Sequence, residues 1–194
     1  HDEQWTMPLE HMNNQTVRMS AIIEDLLTLS AMESDSIDAE FGLVDVPKIL
    51  NPLMIEVQQL LTERHSLVFE IDDSLTISGF AEPLKSVFTN LVSNAVRYSP
   101  EGGEICVKWY QEDNYAYFCV SDEGLGIAPK HLPRLTERFY RVDKDRSRGT
   151  GGTGLGLAIV KHVLEKHGSY LEIESTLGKG STFCCKFALK PSIN

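Results

Sequence analysis

Three short segments in a fixed order constrain this chain more than any other feature. They are N-L-V-S-N-A-V-R-Y at residues 90–98, D-E-G-L-G at 122–126 and G-G-T-G-L-G-L at 151–157. The first carries two carboxamides one helical turn apart, the second a carboxylate beside a glycine turn, and the third a flexible loop that runs into a helix. Together they offer a ligand for a metal ion, a group that can recognise a nucleotide base and a loop that can bind phosphates. The sequence therefore predicts a site for Mg-ATP.

The first segment carries its polar side chains on one face of a predicted helix. Asn90 and Asn94 lie four residues apart, so both carboxamides face the same way. A carboxamide oxygen is a hard ligand that suits Mg²⁺, which also keeps waters and phosphate oxygens in its shell. Arg97 could reach a phosphate, and Tyr98 could pack against an aromatic base. Taken alone, the segment is more typical of a helix with two surface carboxamides and a capping tyrosine.

The second segment places Asp122 at the end of a predicted strand. An ionised carboxylate only accepts hydrogen bonds, so it suits the exocyclic amine of adenine and rejects the carbonyl of guanine. Gly124 and Gly126 let the backbone bend close to a flat base. By itself, D-x-G-x-G is also an ordinary turn.

The third segment is neither a dinucleotide fingerprint, since no strand leads directly into it, nor a P-loop, since the G-K-[ST] ending is missing. It is a loop that feeds a helix N-terminus, where free amides and the helix dipole favour an anion. The alternative is a glycine hinge without a ligand. The candidate residues are Gly152, Thr153, Gly154, Leu155, Gly156 and Leu157.

Composition limits the classes of protein that the chain can belong to. Its 194 residues and 42% apolar content suit one globular domain with a small appendage. The net charge of −10 argues against binding to nucleic acid or to anionic lipid. None of the four cysteines forms a C-x-x-C pair, so we expect four buried, reduced thiols. They are Cys106, Cys119, Cys184 and Cys185.

The chain divides into three parts. Residues 1–33 hold one long helix with a heptad seam, which favours a partner helix over packing on its own domain. The seam consists of Leu9, Met12, Thr16, Met19, Ile23 and Leu26. Residues 34–42 are acidic and small and predict a linker. Residues 43–190 form the main domain.

The main domain alternates helical and strand-like patterns. Helices are expected at about 47–64, 82–98 and 153–167, with a short one near 129–138. Strands are expected at 67–71, 75–80, 104–110, 115–121, 170–175 and 182–189. The pattern predicts an α/β (α+β) fold, a two-layer sandwich of a mixed sheet and three helices.

These residues resemble the catalytic, ATP-binding domain of sensor histidine kinases, within the wider group of gyrase, heat-shock chaperone, histidine kinase and mismatch-repair ATPases. Residues 90–98 look like the N box of that family, 122–126 like its first glycine box and 152–157 like its second. E-R-F-Y-R-V-D at 137–143 looks like its F box. The match covers about 43–189 and implies the Bergerat fold. Residues 1–33 resemble the second helix of the family's dimerisation and phosphoacceptor hairpin.

The resemblance implies a role for each site residue. Asn94 would coordinate Mg²⁺ with support from Asn90, while Arg97 and Arg141 would meet the phosphates. Asp122 would accept the amine of adenine. Phe139 and Tyr140 would dock against the helical stalk that the hairpin forms. Further cofactor contacts are implied for Tyr98, Gly124, Gly126, Ile127, Tyr140, Gly152, Thr153, Gly154, Leu155, Gly156, Leu157 and Thr182.

One residue separates a kinase from a hydrolase. The ATPases of the wider group carry a water-activating glutamate where this chain has Asn90, which cannot act as a base. The resemblance therefore implies transfer of the γ-phosphoryl group from ATP to a histidine. H-D-E-Q-W-T-M-P at the start of the chain looks like the phosphoacceptor motif, but residues 1–33 leave room for one long helix only. We expect the phosphoacceptor histidine to lie outside this chain, which would then not autophosphorylate.

The implied partners follow from the same resemblance. They are the missing phosphoacceptor helix, a response regulator and a second copy in a full-length homodimer. The amino-acid sequences of the F box and of the segment G-L-G-L-A-I-V-K-H are similar to those of family members of Gram-negative bacteria that sense phosphate starvation. Such a protein would sit in the inner membrane through segments outside this chain, which would form its cytoplasmic part. The alternative function is a nucleotide-binding module, or an ATPase of the wider group, without kinase activity.

Overall fold

The computed structural model describes residues 40–142 and 152–189, together with positions 12, 13, 15, 16, 19–23, 25–28 and 30. These N-terminal positions are helical, and we name them the stalk helix. Its seam residues Met12, Met19 and Ile23 are 65%, 62% and 54% exposed. The main domain therefore leaves these described seam residues exposed, and a partner helix along them stays a prediction.

The main domain is a two-layer α/β sandwich, as predicted. The strands that the structure describes are β1 (Gly42–Asp45), β2 (His65–Ile71), β3 (Thr76–Gly79), β4 (Gly103–Glu112), β5 (Tyr115–Asp122), β6 (Tyr170–Thr176) and β7 (Gly180–Ala188). The described helices are α1 (Val46–Leu60), α2 (Ala81–Arg97) and α3 (Gly156–Lys166), with a 3₁₀ helix at Pro129–Arg134. The five-stranded sheet has the order β2-β4-β5-β7-β6, and β1 pairs with β3 separately. Only the β2–β4 pair of the described five-stranded sheet is parallel.

The core lies between one face of the sheet and the three helices. Alternate residues of β5 point to this side, and Ala116, Phe118 and Val120 are fully buried there. The ring of Phe88 on α2 lies 4.4 Å from the ring of Phe118, centroid to centroid. Trp109 is also fully buried, and its indole N–H donates to the carbonyl of Leu75 at 3.1 Å. Burial of these large side chains holds α2, which carries the N box, on the sheet.

Local sequence signals explain where the helices begin and end. Asp45 caps α1 by accepting a hydrogen bond from the backbone N–H of Lys48 at 3.3 Å. The short helix is a 3₁₀ helix that ends at Arg134, four residues earlier than predicted. The helix expected from residue 153 starts at Gly156 instead, because Gly154 has a φ of +76°, which no α-helix contains.

A histidine joins α3 to the start of α2. His167 follows α3, and its ring accepts a hydrogen bond from the backbone N–H of Phe80 at 3.0 Å through Nε2. Its Nδ1 lies 2.7 Å from the carbonyl of Val163, so this nitrogen carries the proton. Burial lowers the pKa of His167 below its ordinary value of 6.5. The neutral imidazole thus fixes the two helices that bear the first and third segments.

The prediction of four reduced thiols is wrong for two of them. Cys119 on β5 and Cys184 on β7 lie directly opposite each other and form a disulfide. The two residues are 65 positions apart, and only strand pairing brings them together, so their spacing in the sequence gave no sign of it. Cys106 and Cys185 are free. Among the described residues, no helix combines the length and apolar character needed to cross a membrane.

Candidate nucleotide site

The polar residues of the N box lie on the half-buried face of α2. Leu84, Val87 and Leu91 point into the core, which leaves Asn90, Asn94 and Arg97 partly accessible on the other side. The Nδ2 of Asn90 donates to the carbonyl of Ser86 at 2.9 Å, which fixes the direction of this carboxamide. The Asn94 carboxamide has no side-chain partner among the described residues.

The second glycine box packs directly against the N box. A β-carbon at Gly156 would collide with Oδ1 of Asn90, and one at Gly152 would lie 3.2 Å from Nη1 of Arg97. Leu155 is fully buried and anchors the loop between these two glycines. The hydroxyl of Thr153 accepts a hydrogen bond from the backbone N–H of Leu155 at 3.1 Å. The fold thus brings the first and third segments into contact, as the nucleotide site requires.

The first glycine box is clamped between the end of α2 and the β6–β7 hairpin. A β-carbon at Gly124 would collide with the carbonyl of Tyr98, which also accepts a hydrogen bond from the backbone N–H of Leu125 at 2.9 Å. Gly126 has a φ of +62° and lies against the carbonyl of Thr176. The backbone N–H of Ile127 donates to the hydroxyl of Ser175 at 2.8 Å. The close approach at Gly124 and Gly126 leaves no room for a side chain.

Asp122 ends β5 on the buried side of the sheet and is 7% exposed. Its Oδ1 accepts a hydrogen bond from the backbone N–H of Gly124 at 2.9 Å, and the backbone N–H groups of Gly124 and Ser181 both favour its charged form. Burial raises the pKa of Asp122, and the two backbone donors only partly oppose that rise. A buried carboxylate held in place by amides is suited to accept one further hydrogen bond, as the adenine hypothesis requires.

The structure corrects the prediction for Thr182. Thr182 lies opposite Ser121, and their hydroxyl oxygens are 3.1 Å apart on the face of the sheet that points away from the helices. Asp122 lies opposite Ser181, so these two side chains share the helix-facing side. The hydroxyl that can support Asp122 is therefore that of Ser181, which is 8% exposed. The signal in the sequence is the alternation of Phe183, Cys185 and Phe187 along β7, which places residue 181 and not residue 182 on the helix-facing side.

The two aromatic residues of the F box differ in their surroundings, since Phe139 is exposed and Tyr140 packs against neighbouring side chains. Phe139 has a φ of +62° and is 59% exposed, and its backbone N–H donates to the carbonyl of Gly154 at 2.8 Å. Tyr140 points elsewhere. Its hydroxyl lies 2.7 Å from Nδ1 of His131, and the guanidinium of Arg134 lies 4.3 Å from its ring centroid. The structure thus joins Phe139 to the second glycine box and packs Tyr140 on the 3₁₀ helix.

Arg141 lies just beyond these aromatic residues, and its Nε is buried. Residues 143–151, which follow it, lie outside the described part of the chain. Of the predicted site residues, the described contacts bring Asn90, Arg97 and Tyr98 to the two glycine boxes. No described contact joins Tyr140 or Thr182 to these residues.

Comparison with known proteins agrees with this arrangement. Residues 79–191 match the family model described as histidine kinase-, DNA gyrase B- and HSP90-like ATPase. The chain belongs to this family. It is similar to the phosphate regulon sensor protein PhoR of Pseudomonas aeruginosa, at 45% identity over 95% of the chain and 42% of that relative. The PhoR of Haemophilus influenzae is 41% identical over 89% of the chain and 40% of its own length.

A solved structure of a family member supports the same assignment. The mycobacterial sensor histidine kinase MprB matches with a TM-score of 0.67 and 27% identity, covering 78% of this chain and 99% of that one. The chain spans about two-fifths of the length of the curated relatives named above. The region that the family model matches contains the N box and both glycine boxes.

Proposed function

We propose that this chain binds Mg-ATP and transfers the γ-phosphoryl group to a histidine on a dimerisation helix that is not part of it. The observation that carries the proposal is the contact of α2 with both glycine boxes. Asn90 and Arg97 lie against the second box, and the carbonyl of Tyr98 lies against the first. Residues far apart in the sequence therefore lie beside one another, with groups suited to phosphates near the second glycine box and a group suited to adenine near the first.

The residues at the phosphate end fit a magnesium ion. The Asn94 carboxamide offers a hard oxygen that no described side chain engages, and Asn90 is fixed one turn earlier through Ser86. Asn94 would hold the ion, with Asn90 in support. When bound, Mg²⁺ would neutralise charge on the phosphates. Arg97, beside Gly152, would add positive charge on the same side, with Arg141 as a further phosphate ligand.

The chemistry at Asn90 favours transfer over hydrolysis. A carboxamide cannot take a proton from water, and the Nδ2 of Asn90 is already engaged with the carbonyl of Ser86 at 2.9 Å. Without a water-activating base, the γ-phosphoryl group is held for an external nucleophile, and catalysis consists of positioning and charge neutralisation. We assign residues 43–190 to the catalytic domain, 34–42 to a linker and 1–33 to the second helix of the phosphoacceptor hairpin.

The names of the relatives support a place in phosphate signalling. Two of them are phosphate regulon sensor proteins. We infer that the full-length protein is a homodimer in the inner membrane that reports phosphate starvation to a response regulator, with this chain on the cytoplasmic side. Since the phosphoacceptor helix is separate, the chain alone would bind nucleotide without phosphorylating itself.

A transfer assay tests the proposal. The chain is incubated with ATP labelled at the γ-position, Mg²⁺ and a separate phosphoacceptor hairpin from a PhoR-like kinase. Label on the hairpin is expected, and its loss is expected for Asn94→Ala. The matched control is Asn51→Ala, which removes an exposed asparagine from α1. Nucleotide binding without label on the hairpin would indicate a binding module, and steady phosphate release without the hairpin would indicate a hydrolase.

A further inference from the structure

A hydrogen bond joins the stalk helix to the second glycine box. The hydroxyl of Thr153 donates to Oδ2 of Asp25 at 2.7 Å, across 128 positions of sequence. The same hydroxyl accepts from the backbone N–H of Leu155, so its orientation is fixed from both sides. Asp25 is half-buried at this contact. Hydrogen bonds to an ionised carboxylate are short and about twice as strong as neutral ones, which suits a contact between two separate segments.

The position of this contact gives it a functional meaning. Thr153 lies between Gly152, which borders the guanidinium of Arg97, and Gly154, whose carbonyl holds the backbone of Phe139. Asp25 therefore brings a negative charge to the loop that would receive the phosphates of a nucleotide. A triphosphate at this loop would add further negative charge beside the carboxylate. Two anions held at the same loop repel each other.

We propose that Asp25 and Thr153 form a latch, in which the stalk helix holds the second glycine box in an arrangement that opposes nucleotide binding. The proposal rests on the proposed function, because it takes the loop to be the phosphate cradle. Nucleotide binding and the latch each weaken the other by the same factor. Binding of Mg-nucleotide thus frees the stalk helix from the catalytic domain, and release of the stalk helix raises the affinity for nucleotide.

Calorimetric titration with Mg-ADP measures this antagonism. Asp25→Ala is expected to bind Mg-ADP about three- to tenfold more tightly than the wild-type chain, because one charge-assisted hydrogen bond no longer competes. The matched control is Asp73→Ala, which removes an exposed carboxylate between β2 and β3 and should leave the affinity unchanged. In a Thr153→Val background, Asp25→Ala should have no further effect, because the latch is already broken.

Hydrogen–deuterium exchange gives a second readout that does not depend on affinity. Mg-ADP should speed amide exchange in the peptide covering residues 19–28 of the wild-type chain, and Asp25→Ala should show the faster exchange without nucleotide. Equal Mg-ADP affinity and equal exchange for the wild type and Asp25→Ala would overturn the latch. Weaker binding by Asp25→Ala would overturn it as well, since the carboxylate would then assist the nucleotide.

The two proposals fail in different ways. A wild-type chain that binds no Mg-ADP would overturn the proposed function and the antagonism together. A wild-type chain that binds Mg-ADP with an affinity insensitive to Asp25→Ala would leave the proposed function intact and overturn the latch alone.

Discussion

The carboxamide oxygen of Asn90 occupies the space that a β-carbon at Gly156 would need. This contact joins the middle of α2 to the first turn of α3, and so fixes the N box against the second glycine box. The Nδ2 of the same carboxamide is held by the carbonyl of Ser86. A side chain at residue 156 would therefore have to displace the Asn90 carboxamide and disturb its hydrogen bond to Ser86.

Gly156→Ala should weaken Mg-ATP binding by about tenfold or more, because the added methyl displaces Asn90 from the pocket. By helix propensity alone, alanine at this first position of α3 would stabilise the helix by at most about 1 kcal/mol. The control is Gly42→Ala, where a β-carbon meets no atom within 4 Å. Calorimetry and thermal unfolding check both variants. A Gly156→Ala chain that is more stable and binds Mg-ATP normally would contradict the contact.

Ser181→Ala should weaken ATP binding several-fold, whereas Thr182→Val should leave it unchanged. The Ser181 hydroxyl lies on the same side of the sheet as Asp122 and 3.0 Å from the hydroxyl of Ser175, which accepts from the backbone of Ile127 in the first glycine box. Thr182 points to the opposite face. Titration of both variants with ATP measures the two affinities. Unchanged binding by Ser181→Ala and weaker binding by Thr182→Val would assign the support of Asp122 to Thr182 instead.

The sequence predicted much of this fold because its local signals agree with one another. The buried face of α2, the Asp45 cap and the alternation along β5 each specify an element that tertiary packing then keeps. The pattern also predicts that the three segments lie close together. Their contacts are confirmed where Gly152 and Gly156 meet α2 and where Gly124 meets Tyr98.

Features that depend on the pairing of distant strands could not be predicted from the sequence. The Cys119–Cys184 disulfide and the choice of Ser181 over Thr182 both depend on the register between β5 and β7. Strand β1 was missed because its four residues show no alternation long enough to recognise, and it forms only by pairing with β3. The contact between Asp25 and Thr153 has no local signal at all, since it joins two separate segments.

Asp122→Asn should weaken ATP binding by about tenfold or more without lowering the stability of the fold. Burial raises the pKa of Asp122 above 3.8, so the folded chain holds a proton there more tightly than the unfolded chain does. The charged form thus costs stability at neutral pH, and a neutral amide removes that cost. Relative to the variant, the wild type should gain stability as the pH falls through the raised pKa towards 3.8. Unaltered ATP affinity in this variant would exclude the adenine role.

The stability of the fold should decline in mild acid through His167. Its pKa is lowered by burial, whereas in the unfolded chain it returns to about 6.5. Stability is then complete above the unfolded pKa and is lost as the pH falls through 6.5 towards the lower folded pKa. Protonation of Nε2 also removes the acceptor for the backbone N–H of Phe80.

Urea unfolding at about pH 7.5 and about pH 5.5 measures this loss. His167→Gln should lower stability at the higher pH and show a smaller decline between the two pH values. His162→Gln on the same helix is the control and should retain the decline of the wild type. An equal decline in the wild type and His167→Gln would show that another group titrates.

The most direct test of the central claim is a calorimetric titration of the chain with ATP, in the presence of Mg²⁺ and after its removal by a chelator. We expect saturable binding of one Mg-ATP per chain, weaker binding without the metal, and a clear preference for ATP over GTP. No heat of binding with Mg-ATP, or equal affinities for ATP and GTP, would contradict it.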